Sequence, residues 1–141
     1  MKIYIASSWK NQHAVEMLTD HLRAKGHQVL SFVENNFEEG HGPDKPMDFE
    51  SWVQTDQAER SFQYDTDGAT KSDLVIYLSP SGTDAWAEVG AAWASGVPIK
   101  GLYAKSEPAG LMRKMIDWYH GVWSLLDDIP VNESSKQTNA A

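Results

Sequence analysis

Few residues of this chain combine a reactive type with a suggestive setting, and Glu88 leads them. It opens a helix-period segment in which Trp86, Val89, Gly90, Trp93 and Val97 recur at i, i+3, i+4, i+7 and i+11. Helical geometry puts Glu88 nearly opposite that stripe, on a face shared with Asp84, Ala91 and Ser95. It is there either a solvated helix carboxylate or an acid lining a cleft or subunit contact. The run Ala-Trp-Ala-Glu-Val-Gly-Ala-Ala permits the close approach that the second reading needs. Asp65 lies shortly before an apolar strand, within Phe-Gln-Tyr-Asp-Thr-Asp-Gly-Ala, where an acid also serves as a helix cap. The turn Ser79-Pro80-Ser81-Gly82-Thr83 runs straight into the Glu88 helix. Ser81 or Thr83 can cap that helix, and its free N–H groups can hold a phosphate or carboxylate. A plain strand-to-helix turn has the same composition. Trp9, in an early loop, offers a face on which a flat ring could stack.

Other chemistries find no support. The five His, at 13, 21, 27, 41 and 120, lack metal-site spacing. There is no G-x-S-x-G elbow, no Walker pattern and no G-x-G-x-x-G. With no Cys, the chain has no disulfide and no thiol nucleophile, which fits a cytoplasmic protein. Twelve Lys and Arg against 20 Asp and Glu give a net charge of −8, a poor match to a nucleic-acid polymer. The apolar start Ile3-Tyr4-Ile5-Ala6 is broken at once by Ser7, Ser8 and Lys10, so no signal peptide is expected. The run Leu74 to Leu78 falls far short of the roughly 20 residues of a membrane helix.

Stepping outward from these residues, 141 positions suit one domain, here 1–130, with a polar, aperiodic tail over 131–141 expected to be disordered. Strands are predicted at Lys2–Ala6, Gln28–Val33, Asp73–Leu78 and Pro98–Tyr103, with a short fifth at Val122-Trp123. Helices are predicted over Asn11–Lys25, Phe49–Lys71 in two pieces, Asp84–Ser95 and Pro108–Tyr119. Trp52, Phe62 and Ala69 are the expected core contacts of the second helical region, and Leu125, Leu126 and Ile129 those of a terminal turn. Between Glu34 and Glu50 lies a presumed 17-residue loop with six acids against Lys45, either a lid or a solvated insertion. Alternating strands and helices predict an α/β fold, a flavodoxin-like doubly wound parallel sheet of order 2-1-3-4-5 flanked by helices. Ligands then bind beyond the carboxyl ends of the strands, near the loops Ser7–Lys10 and Ser79–Asp84.

Three stretches taken together resemble the nucleoside 2-deoxyribosyltransferase-like superfamily. They are Ile3-Tyr4-Ile5-Ala6-Ser7-Ser8-Trp9, then Phe62-Gln63-Tyr64-Asp65 through Lys71-Ser72-Asp73-Leu74-Val75, then Gly82-Thr83-Asp84-Ala85-Trp86-Ala87-Glu88-Val89-Gly90-Ala91-Ala92 leading to Gly96-Val97-Pro98. The likeness runs from about Lys2 to Ile129, and its specificity lies in order and spacing, since the Glu-x-Gly-x-Ala core is short. The superfamily includes deoxyribosyltransferases and N-glycoside hydrolases of nucleoside monophosphates. The resemblance implies that Glu88 is the catalytic nucleophile and that Asp65 contacts the base or leaving group. It also implies that Tyr4, Ser7 and Trp9 line the pocket with Ser81, Gly82, Thr83 and Asp84.

One departure stands out. The transferases carry an acid six positions before the nucleophile, where this chain has Gly82. Losing that carboxylate removes repulsion toward a phosphate, although Asp84 pulls the other way. The resemblance thus implies cleavage or transfer of an N-glycosidic bond in a nucleoside or nucleoside 5′-monophosphate, through a glutamyl glycosyl-enzyme intermediate. No cofactor or metal is expected, and a homodimer or larger homo-oligomer is. Two alternatives stay open: a non-catalytic nucleotide-binding or sensing protein on the same fold, and a TIR-like NAD-cleaving domain.

Overall fold

Lys2–Ala6 forms β1, and its alternating side chains divide the molecule into two layers. Ile3 and Ile5 face one side of the sheet; Tyr4 and Ala6 face the other. The computed structural model describes residues 1–45 and 47–133. The remaining elements are α1 (Gln12–Ala24), β2 (Gln28–Ser31), α2 (Phe32–Glu38), α3 (Phe49–Trp52), α4 (Asp56–Lys71), β3 (Leu74–Leu78), α5 (Thr83–Ala94), β4 (Ile99–Leu102), β5 (Asp117–Tyr119) and α6 (Val122–Asp127). All strand pairs are parallel and the order is β2-β1-β3-β4-β5. This is the flavodoxin-like α/β arrangement expected from the alternating pattern.

The central strand β3 is buried along its whole length, as its unbroken apolar run predicts. On one face Ile3, Ile5, Leu74, Ile76 and Leu78 meet Val15, Leu18 and Leu22 of α1 and Leu125 and Leu126 of α6. On the other, Tyr4, Val75 and Tyr77 meet Ala69 of α4 and Ala85, Val89 and Ala92 of α5. Small residues on α4 and α5 bring this second layer close to the sheet, and the two acids singled out from the sequence, Asp65 and Glu88, lie on those helices. Gly96 ends α5 at φ 78°, a left-handed turn that costs glycine little.

Several expectations need correction. β2 stops at Ser31 rather than Val33, and the presumed loop begins as helix α2. The Ser31 hydroxyl accepts from the Glu34 N–H at 3.4 Å, and Arg23 pairs with Glu34 at 2.7 Å. Phe32, Val33 and Asn36 are buried at helical spacing, a pattern hidden by the surrounding acids. The described residues left between α2 and α3 are therefore 39–45, 47 and 48. In the second helical region Ala69 is buried and Trp52 partly so, but Phe62 is 63% exposed. The α5 stripe turns toward Ala85, Val89 and Ala92, leaving Trp93 60% exposed.

Pro108–Tyr119, expected as a long helix, is not one. A short 3-10 turn, Leu111–Met115, gives way to β5. The open edge of β4 takes those backbone groups, and Ile116 and Trp118 fill the space over Gly101, where a Cβ would stand 2.5 Å from Ile116. The expected strand at Val122-Trp123 is instead the start of α6, and Leu125, Leu126 and Ile129 are buried. Asn132 donates from its N–H to the Lys25 carbonyl at 2.7 Å. The tail expected to be disordered lies outside the described residues from position 134 onward.

Candidate active site

Tyr4 is the centre of the site, and β1 holds it fully buried with its ring against α4 and α5. The close approach depends on Gly68 of α4, where a Cβ would lie 2.3 Å from Tyr4 Cδ1. Helix α4 can rest on the ring only without a side chain there. One turn earlier on α4, Asp65 then faces the Tyr4 hydroxyl. Glu88, in the second turn of α5, reaches the same hydroxyl, which donates to Glu88 Oε1. Glu88 and Asp65, distant in sequence, thus meet on a single phenol.

Burial and crowding by like charge set their ionisation. The Glu88 carboxyl is pushed up to about 8, chiefly by burial and then by the charge of Asp65, against the hydrogen bond from Tyr4. Asp65 is pushed up to about 6, again chiefly by burial, with Tyr4 opposing and Asp84 adding to the rise. The Tyr4 phenol is driven well above its ordinary value by burial and by both carboxylates, so it stays a donor. Two acids with separated affinities for a proton, sharing one fixed donor, form an arrangement suited to nucleophilic and proton-transfer work.

These acids open onto a cavity of about 440 Å³ beyond the carboxyl ends of β1 and β3. Its walls come from Ser7, Ser8 and Trp9 after β1, Gly82, Thr83 and Asp84 at the start of α5, and Lys45, Phe49 and Trp52 around α3. Trp9 stands edge-on to Phe32 and Phe37, with centroids 5.4 and 5.6 Å apart, so its ring is braced. A second groove of about 350 Å³ reaches the same pair of acids, lined by Phe62, Ala87 and Ala91 among others. Glu88 therefore faces a cleft, although helical periodicity is equally consistent with a solvated surface acid.

The two loops named from sequence do meet. The Ser7 hydroxyl donates to the Leu78 carbonyl at 3.0 Å and lies 3.3 Å from the Ser81 hydroxyl. Ser81 donates to that same carbonyl at 2.8 Å, and the Asn11 amide reaches Ser7 at 3.0 Å and the Pro80 carbonyl at 2.8 Å. Both hydroxyls thus stitch the loops together. Neither Ser81 nor Thr83 caps α5: Gly82 holds the cap position, with no side-chain cap hydrogen bond. That end of the helix keeps its backbone donors for a ligand. Among the described residues no group of three or more His, Asp or Glu is placed to hold a metal ion.

Sequence reasoning missed Gly68, whose role exists only through the Tyr4 contact, and Lys45 and Trp52 as parts of the wall. It also missed Glu107, buried and accepting from Tyr77 at 2.8 Å and from the Trp86 indole at 2.9 Å. That contact anchors the first turn of α5, two residues before Glu88. A lone acid before a proline carries no signal for such a role.

The class that the fold defines is a five-stranded parallel α/β architecture of order 2-1-3-4-5, which the chain shares with solved proteins. The chain is similar in fold to a 2-deoxyribosyltransferase from the psychrotolerant bacterium Bacillus psychrosaccharolyticus, with TM-score 0.70 and 21% identity over 94% of this chain and 98% of that one. It is also similar to the CMP N-glycosidase BcmB of Clostridium botulinum, with TM-score 0.59 and 19% identity over 92% and 98%. A conserved protein from Enterococcus faecalis V583 matches with TM-score 0.50 and 20% identity over 94% and 78%. No protein-family model matches the chain, and no curated protein matches it in sequence.

Proposed function

We propose that the protein cleaves or transfers the N-glycosidic bond of a nucleoside or nucleoside 5′-monophosphate. The observation that carries this reading is the convergence of Glu88 and Asp65 on the Tyr4 hydroxyl at the cleft. The fold neighbours, a deoxyribosyltransferase and a CMP N-glycosidase, support it. Ionised Glu88 attacks the anomeric carbon as the bond to the base nitrogen breaks, and the electron pair leaves with the base. Asp65, whose carboxyl burial raises to about 6, holds that base or gives it a proton. Water, or a second base, then displaces Glu88 from the sugar. Tyr4 positions the nucleophile and favours its ionised form. Trp9 offers its braced ring to the base, and Ser7 and Ser81 hold the loop geometry. Gly82, Thr83 and Asp84 with their backbone N–H groups face the 5′ end of the sugar.

The test is incubation with nucleosides, nucleoside 5′-monophosphates and NAD, following free base by chromatography. Release from a nucleoside or its monophosphate is expected; release from NAD alone would replace this reading with NAD cleavage. Binding without release from any of them would favour a nucleotide-sensing protein, a reading to which the missing acid at Gly82 lends weight. A homodimer or larger homo-oligomer belongs to the same proposal. Phe49 and Phe62, 66% and 63% exposed, flank the second groove beside Ala87 and Ala91. An apolar rim of this kind suits a subunit contact. Light scattering should report at least a dimer at micromolar concentration, and a strict monomer would remove this part of the proposal.

A further inference from the structure

The cavity carries three carboxylates, Asp65, Asp84 and Glu88, and among the described residues a single cation, Lys45. That ammonium is held in place. It donates to His41 Nδ1 at 3.0 Å and to the Gly42 carbonyl at 3.2 Å, and it lies 4.7 Å from the centroid of the Trp52 ring. His41 is itself buried, so its ring is a fixed anchor. Two of the three ammonium N–H groups are thereby used, leaving one without a hydrogen-bond acceptor among the described residues.

The surroundings select what that donor meets. Trp9, Phe32, Phe49 and Trp52 line the same cavity. Aromatic faces suit a flat heterocycle, whereas a phosphate dianion would lose its hydration against them. The backbone donors at Gly82 and Thr83 already provide for an anion elsewhere in the cavity. We propose that Lys45 is a specificity-determining residue that donates to an exocyclic oxo group of the nucleobase, so that oxo-bearing bases are preferred over their amino counterparts.

This inference rests on the proposed glycosidic reaction and names its substrate class. When the C1′–N bond breaks, the electron pair left on the base nitrogen spreads onto a conjugated exocyclic oxygen. Burial lowers the proton affinity of the Lys45 amine, and in its protonated form it meets that growing charge with a charge-assisted hydrogen bond. An amino group at the same carbon offers a donor to a donor and gains nothing.

The experiment uses the matched pair hypoxanthine and adenine, which differ in oxo against amino at one carbon. Calorimetry measures binding of the two free bases to the wild type, Lys45→Met and Lys45→Arg. Chromatography measures base release from their nucleosides and 5′-monophosphates. The wild type should favour the oxo member by about tenfold or more, the scale of one hydrogen bond to a charged group. Lys45→Met should abolish that preference, with the larger loss on hypoxanthine, and Lys45→Arg should retain part of it. Lys45→Met keeps an unbranched side chain at that position, and an unchanged melting temperature will show that the fold is intact. Absence of a wild-type preference, or equal losses on both bases, would overturn the proposal. So would a loss that follows monophosphate against nucleoside whatever the base, which would make Lys45 a phosphate ligand. If the wild type binds hypoxanthine selectively through Lys45 yet releases no base from any substrate, the glycosidic reading fails and the specificity role stands.

Discussion

Replacing Tyr4 with Phe removes one hydroxyl from a fully buried ring and leaves the packing of that ring in place. Glu88 loses the donor that favours its ionised form, while burial and the Asp65 charge, which disfavour it, remain. A hydrogen bond to a charged group contributes about 1.5–3 kcal/mol, and one pKa unit corresponds to about 1.4 kcal/mol. The Glu88 carboxyl, now held at about 8, should therefore rise by about one to two units. A nucleophile must be ionised. At pH 7 a carboxyl titrating at about 8 is ionised in roughly one molecule in eleven, and each further unit removes about a factor of ten. The variant should thus lose about 10- to 100-fold in kcat/KM at pH 7 and recover most of it near pH 10. Asp65 shares the hydroxyl and should shift in the same direction, so the limb belongs to the pair. The assay is base release from pH 5 to 10, with kcat/KM reporting the free enzyme. An acidic limb that stays in place would refute the reasoning. A uniform loss at every pH would also refute it, because it would mean that Tyr4 contacts the substrate instead of tuning Glu88.

Glu88→Gln should lower the rate of base release by several orders of magnitude, since no other group supplies the bond to C1′; retention of about a tenth of the activity would reject the nucleophile. The same variant should melt higher than the wild type above pH 8 and much closer to it near pH 4. With the folded carboxyl raised to about 8 from its ordinary 4.5, the stability that burial of neutral Glu88 allows is fully present below that ordinary value and is lost as pH rises through 8. Gly68→Ala forces a methyl to within 2.3 Å of Tyr4 Cδ1; overpacking of about 1–3 kcal/mol should exceed the helix-propensity gain of about 1 kcal/mol. Its urea midpoint should fall and activity should drop with it, and a stabilised, active variant would show that α4 does not need that approach. Finally, a nucleoside 5′-monophosphate should bind tenfold or more tighter than its nucleoside, and Gly82→Asp should reverse that order by restoring a repelling carboxylate. Equal affinities in the wild type would remove the phosphate from the substrate.

The periodicity of the chain by itself determined the layered architecture. A five-residue apolar run suits a strand buried on both faces, and parallel strands joined by helices leave few topologies. That also located the two loops that bound the cleft. Local pattern failed where tertiary contacts overrode it. Leu111, Met112 and Met115 have helical spacing, yet the free edge of β4 claims the backbone after them, and Ile116 and Trp118 turn to cover Gly101. Phe32, Val33 and Asn36 form a helix face that the neighbouring acids disguise as loop. Glu88 could be singled out by type and by resemblance, but its position opposite the stripe was compatible with open solvent. Only the packed molecule decided otherwise. It did so because Gly68 admits the Tyr4 ring, the ring brings α4 and α5 to a common hydroxyl, and burial there raises the proton affinity of both acids. A glycine contact 64 residues away in the chain leaves no mark in local sequence, because the constraint belongs to the space between two elements and to neither alone.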